Sequence, residues 1–363
     1  MGVLTIDLEA IQANYRQICM RVGDQCAVGA AVKANGYGLG LETVSSALLD
    51  AGAKHFFVAN FDEALRARET LGSGAFVYTL DGYDPVHGDL YDVHHITPIL
   101  NSLYQVERYS ALSSNLEKAL PAIVHIDTGM NRLGLEQGAL DAIATRPELF
   151  DGIDVLYAMS HFACSDEAGH DMNAAQCTQF LKASDRVFPG TLKSLANSSG
   201  IYRSDSYHLD LVRSGMALYG LNPTPEAANP MRVAVKLDVR VVQVKEAKAG
   251  ETCGYNATHV FKRDTKLAIV GLGYADGFLR SLSNEGALYW RGVRCPIRGR
   301  VSMDLTIIDL SDVPDNALPL PGDTVEVIGA HQSADDLARD AGTIGYEVLT
   351  SLGSRYSRVY LPG

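Results

Sequence analysis

The 363-residue chain lacks the features that mark a nucleic-acid or membrane protein. Lys and Arg number 31 against 43 Asp and Glu, a formal charge of −12, and no basic stripe interleaves with aromatics. A polyanion is therefore an unsuitable partner, and no nucleic acid is expected. No apolar run approaches the ~18 residues of a membrane span. The opening MGVLTIDLEA carries no basic region followed by an apolar core, so the sequence reads as cytoplasmic, without membrane attachment. Six cysteines (Cys19, Cys26, Cys164, Cys177, Cys253, Cys295) stand without CxxC spacing. That pattern argues against structural zinc and against a disulfide framework, and free thiols are the expectation. What is plentiful is apolar: 47% hydrophobic against 20% charged residues describe a globular chain long enough for one large domain and a smaller one.

Asp7 is placed to cap an amphipathic helix through Arg21. Eight strand-like segments follow: AVGAAVK, HFFVAN, FVYTL, ITPIL, AIVHID, VLYAMSH, LKSLAN and DLVRSG. Between them lie helix-length stretches such as LETVSSALLDAG, FDEALRARETLG, LYQVERYSALSS and HDMNAAQCTQFLKASDRV. The alternation predicts an α/β fold, an N-terminal (β/α)8 TIM-type barrel, with a doubly wound open sheet as the rival. After the proline-rich LNPTPEAANP the pattern changes to period-2 runs, KLDVRVVQV, KLAIVGLGY, ALYWRGVRCPI, SMDLTIIDL and DTVEVIGA. These predict a mainly β C-terminal domain with one or two helices near ADDLARDAG and GYEVLTSLG, dividing the chain at 1–230 and 231–363.

Lys33 closes AVGAAVK and is followed at once by Asn35, Gly36, Tyr37, Gly38 and Gly40. A lysine ending an apolar strand beside a glycine-rich turn sits partly out of water, which lowers its pKa and frees a neutral amine to act as base or imine former. The glycines let backbone approach a bulky ligand, and the Tyr37 hydroxyl suits a phosphate. A lysine that merely snorkels from a strand end is the plainer alternative.

A barrel keeps its chemistry where strands end, and the reactive residue types gather there. Lys33 ends the first strand; Asp127 and Arg132 follow the fifth in HIDTGMNRLG; His161 ends the sixth in AMSHFA. Asn197 and Ser198 end the seventh in LANSSG, and Arg213, Gly215 and Met216 follow the eighth in LVRSGM. Each alone has a structural reading, a packed histidine or an ion-paired arginine; their common position singles them out. The Ser198 hydroxyl with the Gly215 and Met216 N–H groups makes an anion cradle at the late strands. Three other motifs fail on their chemistry. DTG at Asp127 has no second copy to form an acid pair, GLGYADG is misspaced for a dinucleotide turn, and His161 and His170 have no third ligand, so no metal is expected.

Taken together, AVKANGYGLG, IDTGMNRLGL, SHFA, ANSSG, VRSGMALYGL, GYADG, GRVSMD and YEVLTSLGSR resemble the alanine racemases that use pyridoxal 5'-phosphate, in order from Ile6 to about Arg358. The resemblance implies a (β/α)8 barrel with a C-terminal β domain, a homodimer with shared active sites, and interconversion of L- and D-alanine that supplies D-alanine for peptidoglycan. Lys33 would hold the cofactor; Tyr37, Ser198, Gly215 and Met216 would bind its phosphate; and Arg213 would face its pyridine nitrogen. Arg132, His161 and Asn197 complete that site. An arginine cannot accept the ring proton, so the ring draws electrons less strongly, which favours racemisation over transamination. Lys33 and Tyr255, in ETCGYNATH, would be the bases on opposite faces of the substrate, Tyr255 arriving from the neighbouring subunit. A tyrosine in that role needs cationic help, for which Arg132, His161 and Arg213 are the candidates. Arg132 and the Met303 N–H of GRVSMD would meet the substrate carboxylate, and Tyr274 of GYADG would narrow the entrance until only a methyl side chain fits.

The plainer readings are a turn tyrosine at 255, a strand tyrosine at 274 and a core methionine at 303. The chain also departs from relatives. His125 stands where several carry a carbamylated lysine, Ser194 where some have a histidine, and Ser354 where some have a phosphate-contacting tyrosine. A broader-specificity racemase and a decarboxylase of the same fold remain open, although decarboxylases usually set a carboxylate at the ring nitrogen. A non-catalytic pyridoxal-phosphate carrier would resemble the barrel alone.

Overall fold

Asp7 ends one strand and starts one helix: its carboxylate accepts the Ala10 N–H at 2.8 Å and caps α1, Leu8–Val22. The computed structural model describes residues 2–363. The residues before the cap depart from the sequence expectation. They form β1, Val3–Asp7, which pairs antiparallel with β10 (Val235–Ala247) and parallel with Ser357–Leu361, so the first strand of the chain lies in the second sheet. Leu4 and Ile6 point into its core and are fully buried.

The eight strands expected of the barrel are all present: β2 Ala27–Ala31, β3 His55–Val58, β4 Phe76–Thr79, β5 Ile96–Leu100, β6 Leu120–His125, β7 Ile153–Met159, β8 Leu192–Asn197 and β9 Leu211–Ser214. They are parallel and close on themselves, β2 pairing β9 through Ala27 with Leu211 and Ala30 with Ser214. Closure excludes the open doubly wound sheet. Ala31, Phe57, Tyr78, Ile99, Ile123, Met159 and Leu211 fill the interior as one packed cluster. Gly29 makes room for it, since a Cβ there would fall 2.5 Å from the Phe57 ring. A register shift between Ser194 and Asn197 turns the end of β8 and re-aims the residues that follow.

Beyond residue 230 the long strand β10 is the spine of an eight-stranded sheet, pairing with β1, with Thr265–Val270 and with Thr324–Ile328. The helices Ala334–Ala341 and Gly345–Ser351 occur where the sequence places them, the first opened by a Ser333–Asp336 capping box. Two expected strand runs stop short. The strand from Thr265 ends at Val270, leaving Tyr274 in a tight turn (Tyr274–Asp276), and the later strand begins only at Thr306, leaving Met303 in the loop before it. Their cause is a close approach: a Cβ on Gly273 would lie 2.2 Å from the Met303 carbonyl oxygen.

The two layers meet at Gly38, whose φ is +82° and whose absent Cβ would fall 2.3 Å from the Leu349 carbonyl oxygen. Gly38→Ala combines a disfavoured backbone with a clash between layers and is expected to destabilise by about 2–4 kcal/mol. Urea unfolding followed by circular dichroism measures it, and an unchanged midpoint would show that the layers do not meet here.

Candidate active site

Lys33 lies just past β2 because Val32 (φ −113°, ψ 13°) leaves the extended conformation. The next four residues, Ala34, Asn35, Gly36 and Tyr37, all take positive φ, at 54, 56, 62 and 53°. A left-handed turn costs L-residues about 1–2 kcal/mol each, so the surroundings must hold it. Arg358 Nη1 donates to the Gly38 carbonyl at 2.5 Å and the Tyr360 hydroxyl to the Leu39 carbonyl at 2.8 Å, both from the C-terminal strand. Burial and then the Arg132 guanidinium push the Lys33 amine below the ordinary lysine range; Glu63 opposes them and Arg213 adds to them.

The turn stacks Tyr37 on Tyr219 with ring centroids 4.5 Å apart, and the Tyr219 hydroxyl donates to the Ala31 carbonyl at 2.9 Å. The Tyr37 hydroxyl then reaches Gly215, where a Cβ would come within 2.3 Å of it. Ser198, also at this end of the barrel, accepts the Gly215 N–H at 2.9 Å and the Ala217 N–H at 3.3 Å, and Met216 opens the turn between them. Asn197 has a capping role: its Oδ1 accepts the Gly200 N–H and the Ser165 hydroxyl, at 2.9 and 2.8 Å.

Arg213, only 6% exposed, lies within β9. It donates to Ser194 Oγ at 2.6 Å, the Ser160 carbonyl at 2.5 Å, the Leu195 carbonyl at 3.3 Å and His161 Nδ1 at 3.2 Å. Every acceptor is neutral. Burial lowers the guanidinium to about 10, still cationic at neutral pH. Because it only donates, His161 Nδ1 carries no proton. Burial and the Arg213 charge hold His161 well below the usual histidine range.

His125, at the end of β6, is buried with Nδ1 2.8 Å from Asn101 Oδ1. Asn101 donates its amide to the Leu80 and Ile99 carbonyls, so its oxygen accepts and His125 is protonated at Nδ1. Asp127, in the same loop as Arg132, accepts the Gly129 and Asn131 N–H groups at 2.9 and 3.2 Å, while Arg132 itself is exposed.

Tyr255, Tyr274 and Met303 lie elsewhere, on the second domain. They are 68, 44 and 53% exposed, which excludes the core reading of Met303. The Tyr274 N–H donates to the Ser302 carbonyl and the Ala275 N–H to the Met303 carbonyl, each at 3.0 Å, so these two loops move as one. Gly254, before Tyr255, packs on Gly299 and Arg300. Among the described residues no hydrogen bond or ion pair joins this surface to the Lys33 cluster.

Comparison with known proteins gives the family and the fold. The family model for the alanine racemase N-terminal domain matches residues 6–223 and that for the C-terminal domain residues 234–360. The chain belongs to the alanine racemase family. A protein of Agrobacterium fabrum named as a catabolic alanine racemase is 46% identical over 100% of this chain and 93% of its own. The alanine racemase of Bartonella henselae, solved with covalently bound pyridoxal phosphate, superposes with a TM-score of 0.95 at 38% identity, covering 99% of each chain. The biosynthetic alanine racemase of Pseudomonas aeruginosa gives 0.91 at 34% identity, again over 99% of each.

In this alanine racemase chain, the departures of the sequence acquire places. Ser194 accepts from Arg213 and its hydroxyl donates to the Leu211 carbonyl at 2.6 Å, whereas Ser354 is exposed. Ser194, Asn101 and Tyr219 support the site without having been singled out as partners of Arg213, His125 and Tyr37. Strand register gives the one usable signal, since Ser194 sits opposite Leu211 on the neighbouring strand.

Burial, with Arg213 adding, lowers His125 from 6.5 to about 3. The unfolded chain takes up this proton near pH 6.5 and the folded chain only near 3, so stability is whole above 6.5 and falls as pH drops through that window. Each such histidine contributes about 1.4 kcal/mol per pH unit there. Unfolding free energies measured from pH 7 to 5 should decline, and His125→Gln should flatten the slope by about that amount; an identical slope would place the histidine in water.

Proposed function

We propose that the chain racemises alanine with pyridoxal 5'-phosphate as its cofactor. The carrying observation is charge: Lys33, Arg132 and Arg213 share one barrel end, and none makes an ion pair with a carboxylate among the described residues. Such a pocket suits a phosphorylated ring and a substrate carboxylate. The fit extends to the phosphate end, where the Tyr37 hydroxyl faces a glycine whose Cβ would fill the cradle. When bound, the cofactor supplies an aldehyde that captures an amino group and a conjugated ring that draws electrons from the α carbon.

The chain's residues do the rest. Tyr37, Ser198, Gly215 and Met216 position the phosphate, with Asn197 shaping that turn through its cap. Arg213, a pure donor, would hold the ring nitrogen of the cofactor and keep it unprotonated, so that the ring would draw electrons less strongly. His161 steadies Arg213 as a neutral acceptor. Lys33 would hold the cofactor, and its amine would move a proton at the substrate α carbon on one face. Tyr255 serves the opposite face from a second copy of the chain. Its exposure and its separation from Lys33 within the chain support a homodimer with shared sites. Arg132 and the Met303 N–H take the substrate carboxylate, and Tyr274 beside Met303 limits the side chain to about a methyl. No helix of the described residues is long and apolar enough to cross a membrane, and we place the reaction in the cytoplasm. Racemisation has an equilibrium constant of one by symmetry, so the reaction that consumes product sets its direction, and our reading is D-alanine supply for peptidoglycan.

Chiral separation of L-alanine incubated in D2O with cofactor-loaded protein tests the reading; imine absorbance with no loss of optical rotation would overturn it. Tyr255→Phe should slow racemisation by about 10²–10⁴-fold, the usual value of a positioned acid–base group. It should keep α-hydrogen exchange with D-alanine while losing it with L-alanine. Equal exchange of both enantiomers would put the two bases on one face.

Mixing inactive Lys33→Ala and Tyr255→Phe proteins under conditions of subunit exchange gives hybrid dimers with one intact site. Recovery of about a quarter of parental activity is expected from statistical pairing. No recovery would place both residues in a site within one chain.

A further inference from the structure

Lys33 owes its place to a turn that its own sequence disfavours, and a single carboxylate in the next β/α unit closes that turn. Glu63 stands in the first turn of the helix Phe61–Leu71, which Asn60 caps by accepting the Glu63 N–H at 3.0 Å. In an ordinary capping box the glutamate returns to the N–H of its own cap residue. Here it reaches elsewhere: Oε2 accepts the Ala59 N–H at 2.9 Å, at the end of β3, and Oε1 accepts the Asn35 N–H at 3.0 Å, inside the left-handed turn. One carboxylate thus ties the ends of two barrel strands together beside the amine. Asn35 is held from the other side as well, its Oδ1 accepting the Leu41 N–H at 3.2 Å and Arg66 Nη2 at 3.0 Å.

We propose that Glu63 is a positioning residue for Lys33, locking the left-handed turn that presents the amine and setting one negative charge against the cations of the pocket. The inference rests on Lys33 being the reactive lysine of the proposed function. The geometry gives Glu63 two separable effects. Reach fixes the Asn35 N–H and hence the direction of the lysine. Charge acts on an amine whose proton burial, Arg132 and Arg213 disfavour, while Glu63 alone among the charged groups acting on it favours that proton.

Glu63→Gln keeps an acceptor for one N–H and removes the charge; Glu63→Asp keeps the charge and shortens the reach by a methylene. In the full-length protein freed of cofactor, competitive acetylation of Lys33 across pH, read by peptide mass spectrometry, gives the midpoint at which the amine becomes reactive. Loss of the anion should move that midpoint down by about one pH unit in Glu63→Gln, the size of a charge several ångströms away at intermediate dielectric. Glu63→Asp should hold the parental midpoint. In the loaded enzyme kcat should fall in both variants, by about tenfold or more in Glu63→Asp, where the turn loses its clamp. A parental midpoint in a folded Glu63→Gln protein, or a parental kcat in Glu63→Asp, would overturn the proposal. If instead the unaltered protein loads cofactor on another lysine, the reading of Lys33 itself fails, and Glu63 is not then at issue.

Discussion

A buried guanidinium without a carboxylate shapes this end of the barrel. Taking an unpaired charge out of water costs several kcal/mol unless its donors are satisfied. Arg213 meets that requirement with dipoles alone: two carbonyls, one hydroxyl and one imidazole nitrogen from β8 and the segment after β7. The field that remains acts on every group nearby. It helps keep His161 and His125 neutral and disfavours the proton on Lys33. A carboxylate in place of Ser194 would satisfy the same donors and cancel that field, leaving the pocket with less attraction for an anion. The choice of neutral partners is therefore what makes the pocket electropositive, and it is made by residues on β8 and just after β7.

The barrel does not support its reactive turn unaided. The C-terminal strand that pairs with β1 sends Arg358 and Tyr360 onto the turn after Lys33. From the same stretch Arg355 bridges Asp276 and Asp304, at 2.8 and 2.7 Å, next to the Tyr274 and Met303 loops. Asp276 is buried and its carboxylate also accepts the Gly273 N–H at 2.9 Å, so this pair is better fixed than an ordinary surface bridge. One short segment thus fixes both the lysine turn and the loops proposed to face a second copy. The two domains are joined by a linker in sequence, but their functional parts are held by shared hydrogen bonds.

The barrel was legible because most of its strands are short apolar runs, largely buried, that alternate with helix-length stretches. β1 was not. VLTID precedes a strong cap, and the residues that pair with it lie more than two hundred positions away. The positions of Lys33, His161, Ser198 and Arg213 at strand ends could be read from alternation. The manner in which they are held could not. Ala34 and Tyr37 give no local sign of positive φ, and the carbonyls of Ser160 and Leu195 carry no side-chain signal at all. Glu63 was not singled out in the sequence, and only the fold shows its oxygens directed to the end of β3 and the lysine turn. Tyr255 had the weakest signal of its own; an exposed tyrosine in a turn acquires meaning only from family resemblance and from the second surface beside it.

That second surface bears on selectivity. A hydrophobic pocket distinguishes side chains differing by one methylene by only about 1–3 kcal/mol, and less if its wall can yield. Tyr274 and Met303 belong to loops crosslinked through their backbones and pressed together at Gly273, where no Cβ fits. Moving either side chain out of the way by a backbone shift would break those bonds and the Arg355 bridge with them. Side-chain rotation remains, and for a methionine it is cheap, so exclusion of a longer substrate depends more on the tyrosine, whose ring has few ways to turn aside. Under the proposed function Tyr274 would therefore carry the greater share of a preference for a methyl group, and Met303 would contribute chiefly through the backbone N–H proposed to meet the substrate carboxylate.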